Sequence, residues 1–193
     1  MPDADPEKVA KAAAMSGYSN AGQVCISTQR VLAHNDIYGD FVDAFKAETE
    51  SINTGNPLNS DSKMGPMIRQ SDAERVQGWV EEAVTAGASL VTGGGRSGQM
   101  MQPTVVEGVS PEMRISCDEI FGPVVGVTRV DDIDQAISLA NDTNYGLSAA
   151  IFTENVNWAM QYVRQIESGN IHVNWGTQWR ADLMPYGGLK DSG

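Results

Sequence analysis

The chain has 193 residues, of which 41% are hydrophobic and 20% charged, an ordinary globular composition that excludes wholesale disorder. This length predicts one domain that buries roughly 70% of its unfolded surface without disulfide or metal staples. Thirteen Lys and Arg against 25 Asp and Glu give a net charge of −12, which argues against nucleic acid and anionic membranes as partners because both bind basic surfaces.

Helical and extended segments alternate along the chain. In the first half of the chain the pattern predicts a helix over 7–16, a strand over 28–33, a helix over 37–52, a Gly-, Pro- and Asn-rich loop over 54–66 and a helix over 71–86. Strands are then predicted over 89–92, 104–107 and 124–130. The last part is predicted to contain a helix capped by Asp131, a strand over 147–152, a helix around 156–163 ended by Gly169, and a strand over 170–175. This alternation predicts an α/β fold, with a largely parallel sheet flanked by helices, in a single domain over residues 1–193.

One glycine motif matches a dinucleotide-binding pattern but lies in the wrong structural context for it. Gly93, Gly95 and Gly98 spell GxGxxG, which binds dinucleotides only where a strand precedes it and a helix follows. Here the following residues lead into another strand. We therefore predict a glycine-rich loop between strands.

The cysteine count bears on location and on metals. Cys25 and Cys117 are the only cysteines, too few for a disulfide framework, and they indicate a reducing cytoplasm. The first five residues show no secretory signal peptide, and no apolar run is long enough to cross a membrane. Two His and two Cys that lie far apart predict no metal site.

Cys25 is a candidate nucleophile. A buried cysteine is ordinarily a small hydrophobe, but Gly22 and the polar residues before Cys25 indicate a tight turn between the first helix and the first strand. Such rigid turns often carry reactive groups. No activating histidine is evident, because His34 and His172 are interpreted as structural or surface residues.

Two further loops contain residue types suited to binding. Glu119 precedes Phe121 and a Gly-Pro step that favours an extended loop; an acidic group beside a fixed aromatic ring could hold a sugar hydroxyl, or it could be a solvated turn. Residues 184–193 are rich in Gly, Pro and Ser. They form either a disordered tail or, given the nearby Trp179 and Tyr186, an ordered loop that lines a cavity.

Together these stretches resemble a known family. Gly22-Gln23-Val24-Cys25, Glu119-Ile120-Phe121-Gly122-Pro123, Asn144-Tyr145-Gly146-Leu147-Ser148-Ala149 and Pro185-Tyr186-Gly187-Gly188-Leu189-Lys190-Asp191-Ser192-Gly193 are similar, in order and spacing, to motifs of the NAD(P)-dependent aldehyde dehydrogenase superfamily. The four motifs cover almost the whole chain and are very specific in combination.

The resemblance implies roles for individual residues. Cys25 is the expected catalytic nucleophile, which forms a thiohemiacetal and then a thioester with the aldehyde. Glu119 is expected to bind the ribose hydroxyls of the cofactor, NAD or NADP, with Phe121 near the nicotinamide ring. Ile26, Trp179, Arg180 and Tyr186 are expected in the substrate pocket.

The resemblance also implies missing parts. Members of this superfamily carry an N-terminal cofactor-binding domain that supplies the general-base Glu and the oxyanion Asn, and a C-terminal oligomerisation segment. We expect this chain to be the catalytic domain alone, incomplete as an enzyme, and the intact protein to be a homo-oligomer that acts on a small aldehyde. Two alternatives remain: a CoA-acylating enzyme, and a non-catalytic binding domain of the same descent.

Arg180 bears on the substrate. It either pairs with Asp182 at the surface or binds, through two guanidinium N–H groups, a carboxylate or phosphate at the far end of the aldehyde. The second interpretation predicts a small polar or anionic substrate, and the Arg-x-Asp-x-Met-Pro pattern from Arg180 resembles that of subfamilies with such substrates.

Overall fold

A computed structural model describes all 193 residues as an α/β fold. The helices are α1 (Pro6–Tyr18), α2 (Tyr38–Glu50), α3 (Gln70–Thr85), α4 (Arg114–Cys117), α5 (Ile133–Asn141) and α6 (Val156–Gln165). The strands are β1 (Arg30–His34), β2 (Ser89–Thr92), β3 (Arg96–Ser97), β4 (Met100–Met101), β5 (Thr104–Glu107), β6 (Val124–Val130), β7 (Tyr145–Gly146), β8 (Ser148–Ile151), β9 (Asn170–Val173) and β10 (Leu189–Lys190).

The main sheet has four strands in the order β1-β6-β5-β2. Strands β1 and β5 both run parallel to β6, and β2 is an antiparallel edge strand beside β5. Val124, Val125 and Val127 of β6 are fully buried, as expected for an inner parallel strand with both faces covered. The predicted fold class, a largely parallel sheet flanked by helices, is confirmed.

A second parallel pair lies apart from this sheet. Strand β8 pairs with β9 and with no strand of the main sheet. Two antiparallel pairs, β3 with β4 and β7 with β10, complete the strand set. Both β1 and β8 therefore keep one edge without a partner strand.

The hydrophobic core is divided in the same way. The main cluster lies between α1, α2, α3 and the four-stranded sheet, where the Phe45 ring stacks on Phe41 at 5.4 Å and on Tyr18 at 6.1 Å between centroids. A smaller cluster around α5, α6 and β8 consists of Ile133, Ile137, Ile151, Tyr162 and Ile166. Packing of α1 against the main sheet fixes the loop that leaves its C-terminus.

Several predicted boundaries are wrong by a few residues. Asp132, and not Asp131, caps α5, because its carboxylate accepts the Gln135 N–H at 2.8 Å. Helix α6 ends at Gln165, before Gly169. The last long strand ends at Val173, since Asn174 takes a left-handed φ of 57°.

The glycine-rich segment lies between strands and precedes no helix, as predicted, but it is not one loop, because Arg96–Ser97 form β3 and Gly98 lies in the turn that follows. It leads from β2 into the β3–β4 hairpin, and no helix follows it. Gly93 has a φ of +82°, and a Cβ there would lie 2.1 Å from the Pro103 carbonyl oxygen. Glycine at position 93 therefore allows the backbone to pass close to the Pro103 carbonyl. None of the helices has the length and apolar character needed to span a membrane.

Candidate active site

Cys25 lies in the turn between α1 and β1, as predicted, and that turn has an unusual backbone. Asn20, Ala21 and Gly22 have successive positive φ angles of 51°, 55° and 68°. A Cβ on Gly22 would lie 2.0 Å from the Gly122 carbonyl oxygen, so only glycine fits. Left-handed conformations at non-glycine residues are costly and cluster at functional sites.

Hydroxyl groups tie this turn to the end of α1. Ser27 Oγ donates to the Ser16 and Gly17 carbonyls at 3.1 and 3.2 Å, and the Thr28 N–H donates to Ser16 O at 3.2 Å. These bonds satisfy helix carbonyls that otherwise lack partners. The Cys25 thiol is exposed, and its backbone N–H has no acceptor within the chain. The turn therefore presents a thiol beside a free donor.

A second tie joins the Cys25 turn to the segment after β9. Thr177 Oγ1 donates to the Ile26 carbonyl at 2.7 Å and lies 2.9 Å from Thr28 Oγ1. Gln178 Nε2 donates to Ser16 O at 2.7 Å. Sequence reasoning missed Thr28 and Thr177, because they are 149 positions apart and no local pattern marks them as partners.

The loop with Glu119 and Phe121 is anchored through the residue between them. Ile120 is buried; its N–H donates to Gln29 Oε1 at 2.7 Å, and its carbonyl accepts from Arg75 Nη2 at 2.8 Å. Phe121 has a φ of 47° and a half-exposed ring. Glu119 is exposed and makes no hydrogen bond or ion pair within the chain. The loop thus holds a free carboxylate and an open aromatic ring.

The two loops meet at one cavity. Gly22 contacts Gly122, and both Cys25 and Glu119 line a cavity of about 500 Å³. Phe121 does not line it. The structure therefore brings together the first two motifs around one cavity.

The third loop approaches the thiol from another side. Tyr186 Oη lies 2.9 Å from Cys25 Sγ, and the Arg180 guanidinium carbon lies 5.1 Å from the centroid of the Tyr186 ring. The hydrogen bond with Cys25 and burial raise the pKa of Tyr186 to about 12. Arg180 forms no ion pair with Asp182, so the surface-pair interpretation is wrong.

A shallow depression with no room for a water molecule lies beside the cavity of about 500 Å³. Its lining includes Ile26, His172, Trp179, Arg180 and Tyr186. His172 is 6% exposed and contacts Trp179 edge to face at 6.3 Å, and its Nε2 is buried without a partner. The predicted substrate-pocket residues thus lie together, and His172, interpreted from sequence as structural, lies among them.

The glycine-rich tail is ordered. Strand β10 pairs with β7, and Lys190 Nζ lies 2.7 Å from Glu167 and donates to the carbonyls of Asn141 and Thr143. A Cβ on Gly169 would lie 1.8 Å from the Gly187 carbonyl oxygen. The interpretation as a disordered tail is therefore wrong.

The whole chain is similar to aldehyde dehydrogenases. Residues 1–193 match the aldehyde dehydrogenase family. The 3-sulfolactaldehyde dehydrogenase of Priestia aryabhattai is 46% identical over 191 residues, which are 99% of this chain and 40% of that protein.

Solved structures agree. Aldehyde dehydrogenase 21 from Physcomitrella patens, in complex with the product succinate, is 39% identical with a TM-score of 0.93 over 100% of this chain and 40% of that one. The glyceraldehyde-3-phosphate dehydrogenase of Methanocaldococcus jannaschii, complexed with NADP, is 36% identical with a TM-score of 0.95 over 99% of this chain and 41% of that one. The present chain spans about 40% of the length of the relatives that it matches, and it belongs to the aldehyde dehydrogenase family.

Proposed function

We propose that these residues are the catalytic domain of an NAD(P)-dependent aldehyde dehydrogenase, with Cys25 as its nucleophile. The observation that supports this most is the Cys25 turn, where an exposed thiol stands beside a backbone N–H without an acceptor. A nucleophile next to an unused donor is the arrangement that acyl-transfer chemistry needs.

The chemistry of the chain's own residues follows. The Cys25 thiolate attacks the carbonyl carbon, a C–S bond forms, and the carbonyl oxygen becomes an oxyanion. The free Cys25 N–H can donate to that oxygen, and one such donor contributes about 3–4 kcal/mol in comparable sites. After oxidation, a thioester remains on Cys25, which water hydrolyses to the carboxylic acid.

Glu119 and Phe121 fit one end of a nicotinamide cofactor. A free carboxylate can accept hydrogen bonds from two ribose hydroxyls, and an open aromatic ring offers an apolar surface to a nicotinamide. When bound, this cofactor supplies the hydride acceptor. The glycine-rich loop after β2 fits no pyrophosphate, because no helix follows it. We assign the remaining cofactor contacts, and the general base, to parts of the enzyme outside these residues.

The substrate is proposed to be a small polar or anionic aldehyde. Arg180 is exposed, lines the shallow depression next to Ile26, and has no carboxylate partner in the chain. A free guanidinium fork suits a carboxylate, phosphate or sulfonate. Two similar proteins are named for sulfolactaldehyde and glyceraldehyde 3-phosphate, and a third is bound to succinate. Each of these small molecules carries a sulfonate, phosphate or carboxylate group.

The proposal extends to the location and the assembly of the intact enzyme. The two free cysteines suit a reducing cytoplasm. The family resemblance supports a homo-oligomer for the intact enzyme.

The proposal is tested on the full-length protein. Cys25→Ser should abolish NAD(P)H formation from an anionic aldehyde, whereas the matched Cys117→Ser should retain it. Assays with and without CoA separate the acid product from an acyl-CoA product, and acyl-CoA would favour the acylating alternative. Normal turnover by Cys25→Ser would exclude Cys25 as the nucleophile and favour a non-catalytic role for this turn.

The isolated chain should lack turnover. The groups of an active site act as a unit, so removal of the base and of most cofactor contacts removes nearly all acceleration. NAD(P)H formation from millimolar short aldehydes measures this. A rate near 1 per second, ordinary for an enzyme, would show that the 193 residues are catalytically complete.

A further inference from the structure

The closest polar contact of the Cys25 sulfur is a tyrosine from the far end of the chain. Tyr186 Oη lies 2.9 Å from Sγ, although 161 positions separate the two residues. We propose that the Tyr186 hydroxyl donates a hydrogen bond to the Cys25 sulfur and so stabilises the thiolate, the form that attacks the aldehyde. This inference rests on the proposed nucleophilic role of Cys25.

The direction of the hydrogen bond follows from the protons available. A thiolate carries no proton and can only accept, so its partner must donate. The contact with Cys25 and burial raise the pKa of Tyr186 to about 12, so the phenol keeps its proton at neutral pH. Tyr186 is therefore a donor throughout the working range of pH.

Arg180 favours the same arrangement. Its guanidinium lies over the Tyr186 ring, 5.1 Å from the centroid, a cation–π contact that holds the ring beside the sulfur. A nearby positive charge also makes a phenol a stronger donor. Arg180 can thus assist the thiolate through Tyr186 without contacting sulfur.

The other charged groups that line the cavity with Cys25 are mostly acidic. They are the Met1 N-terminus, Arg30, Asp118, Glu119, Glu167 and Asp191, and none of them hydrogen-bonds to Sγ. Carboxylates disfavour a neighbouring thiolate. Neither histidine contacts the sulfur, so within this chain the Tyr186 hydroxyl is the one side-chain donor at Sγ.

The pH dependence of Cys25 alkylation tests the proposal without any cofactor. The 193-residue chain is treated with iodoacetamide from pH 6 to 11, and labelling of the Cys25 peptide is followed by mass spectrometry. Tyr186→Phe keeps the ring and removes the hydroxyl, so the midpoint of the rate–pH curve should rise by about one pH unit. Below both midpoints the variant should react several-fold more slowly. Above both it should react as fast or faster, because a more basic thiolate is more nucleophilic.

Two controls accompany this variant. Tyr145→Phe removes the hydroxyl of a half-exposed tyrosine that makes no side-chain hydrogen bond, and it should leave the Cys25 midpoint unchanged. Labelling of Cys117 in the same samples should not change either, which reports an intact fold. An unchanged Cys25 midpoint, or faster alkylation at every pH, would overturn the proposal and show that Tyr186 merely covers the thiol. The Cys25→Ser assay decides the nucleophile separately, so the two failures are distinguishable.

Discussion

Arg180 and His172 line the same shallow depression beside Ile26, and each lacks a partner that its chemistry would ordinarily have. The guanidinium of Arg180 has no carboxylate, and the buried Nε2 of His172 has no hydrogen bond. Buried polar atoms without partners are rare in folded proteins. We therefore expect Arg180 to affect substrate preference and His172 to affect the pH dependence of stability.

Arg180→Ala in the full-length protein should lower kcat/KM for an anionic aldehyde by about 10- to 100-fold, the loss expected for one charge-assisted hydrogen-bonded pair. Neutral propanal should be much less affected, since it offers no anion to the guanidinium. Steady-state kinetics with both substrates make the comparison. Equal losses on both would mean that Arg180 holds the loop, through its contact with Tyr186, and does not recognise the substrate.

His172 should make stability depend on pH. Burial lowers its pKa below the ordinary value of 6.5, so below that pH the unfolded chain binds a proton that the folded chain resists. The free energy of unfolding is then unaffected by His172 above pH 6.5 and falls as the pH drops, by at most about 1.4 kcal/mol per pH unit. Urea unfolding at pH 7.5 and 5.5 measures this. His172→Phe should lose less stability over this interval, and an equal loss in both proteins would contradict the assignment.

At the scale of elements, the decisive segment is the turn between α1 and β1. Helix α1 ends against the sheet. The Ser27 hydroxyl donates to the Ser16 carbonyl and the Thr177 hydroxyl to the Ile26 carbonyl, so both ends of the turn are tied down. Three successive left-handed residues bring the Cys25 turn against the Gly122 backbone. The position of the thiol therefore depends on packing between two loops.

Gly22→Ala should disrupt this turn. A Cβ there would meet the Gly122 carbonyl oxygen at 2.0 Å in a left-handed backbone, so we expect a loss of about 2–5 kcal/mol in the free energy of unfolding. Gly78→Ala, on an open face of α3 with nothing within 4 Å, is the matched control and should stabilise by about 0.5–1 kcal/mol. Urea unfolding compares the two, and a neutral Gly22→Ala would show that the turn relaxes easily.

At the scale of the whole molecule, the main feature is the 500 Å³ cavity between the two parts of the core. The lining includes Arg30–Ala33 of β1 and Ser148–Ile151 of β8, two strands that each keep one edge without a partner strand. Apolar residues of α5 complete one wall. Open strand edges beside apolar surface invite association.

The isolated chain should therefore bind a hydrophobic dye or self-associate. Fluorescence of anilinonaphthalene sulfonate and light scattering against concentration measure the two outcomes, with the full-length enzyme as the comparison. If the remainder of the enzyme covers this cavity, the full-length protein should bind less dye per catalytic domain. A monodisperse isolated chain without dye binding would contradict the prediction of an uncovered apolar surface.

The sequence by itself determined the order of the main elements and the position of the three loops. Apolar spacing and glycine stops are local signals, so the strands over 104–107 and 124–130 agree with the structure residue for residue. The four motifs sufficed to identify the family. Short or context-dependent features were missed or misplaced: α4 spans four residues, and the choice of Asp132 over Asp131 as the cap depends on backbone geometry.

Only the tertiary structure decided how the site is assembled. Nothing near Arg180 in sequence distinguishes a pair with Asp182 from a contact with Tyr186, since both partners lie within reach of a flexible side chain. The left-handed backbone of Ala21 opposes its intrinsic preference and exists because packing imposes it. The contact between Cys25 and Tyr186 joins the two ends of the chain, and such a contact depends on the fold, since no local preference of either residue specifies it.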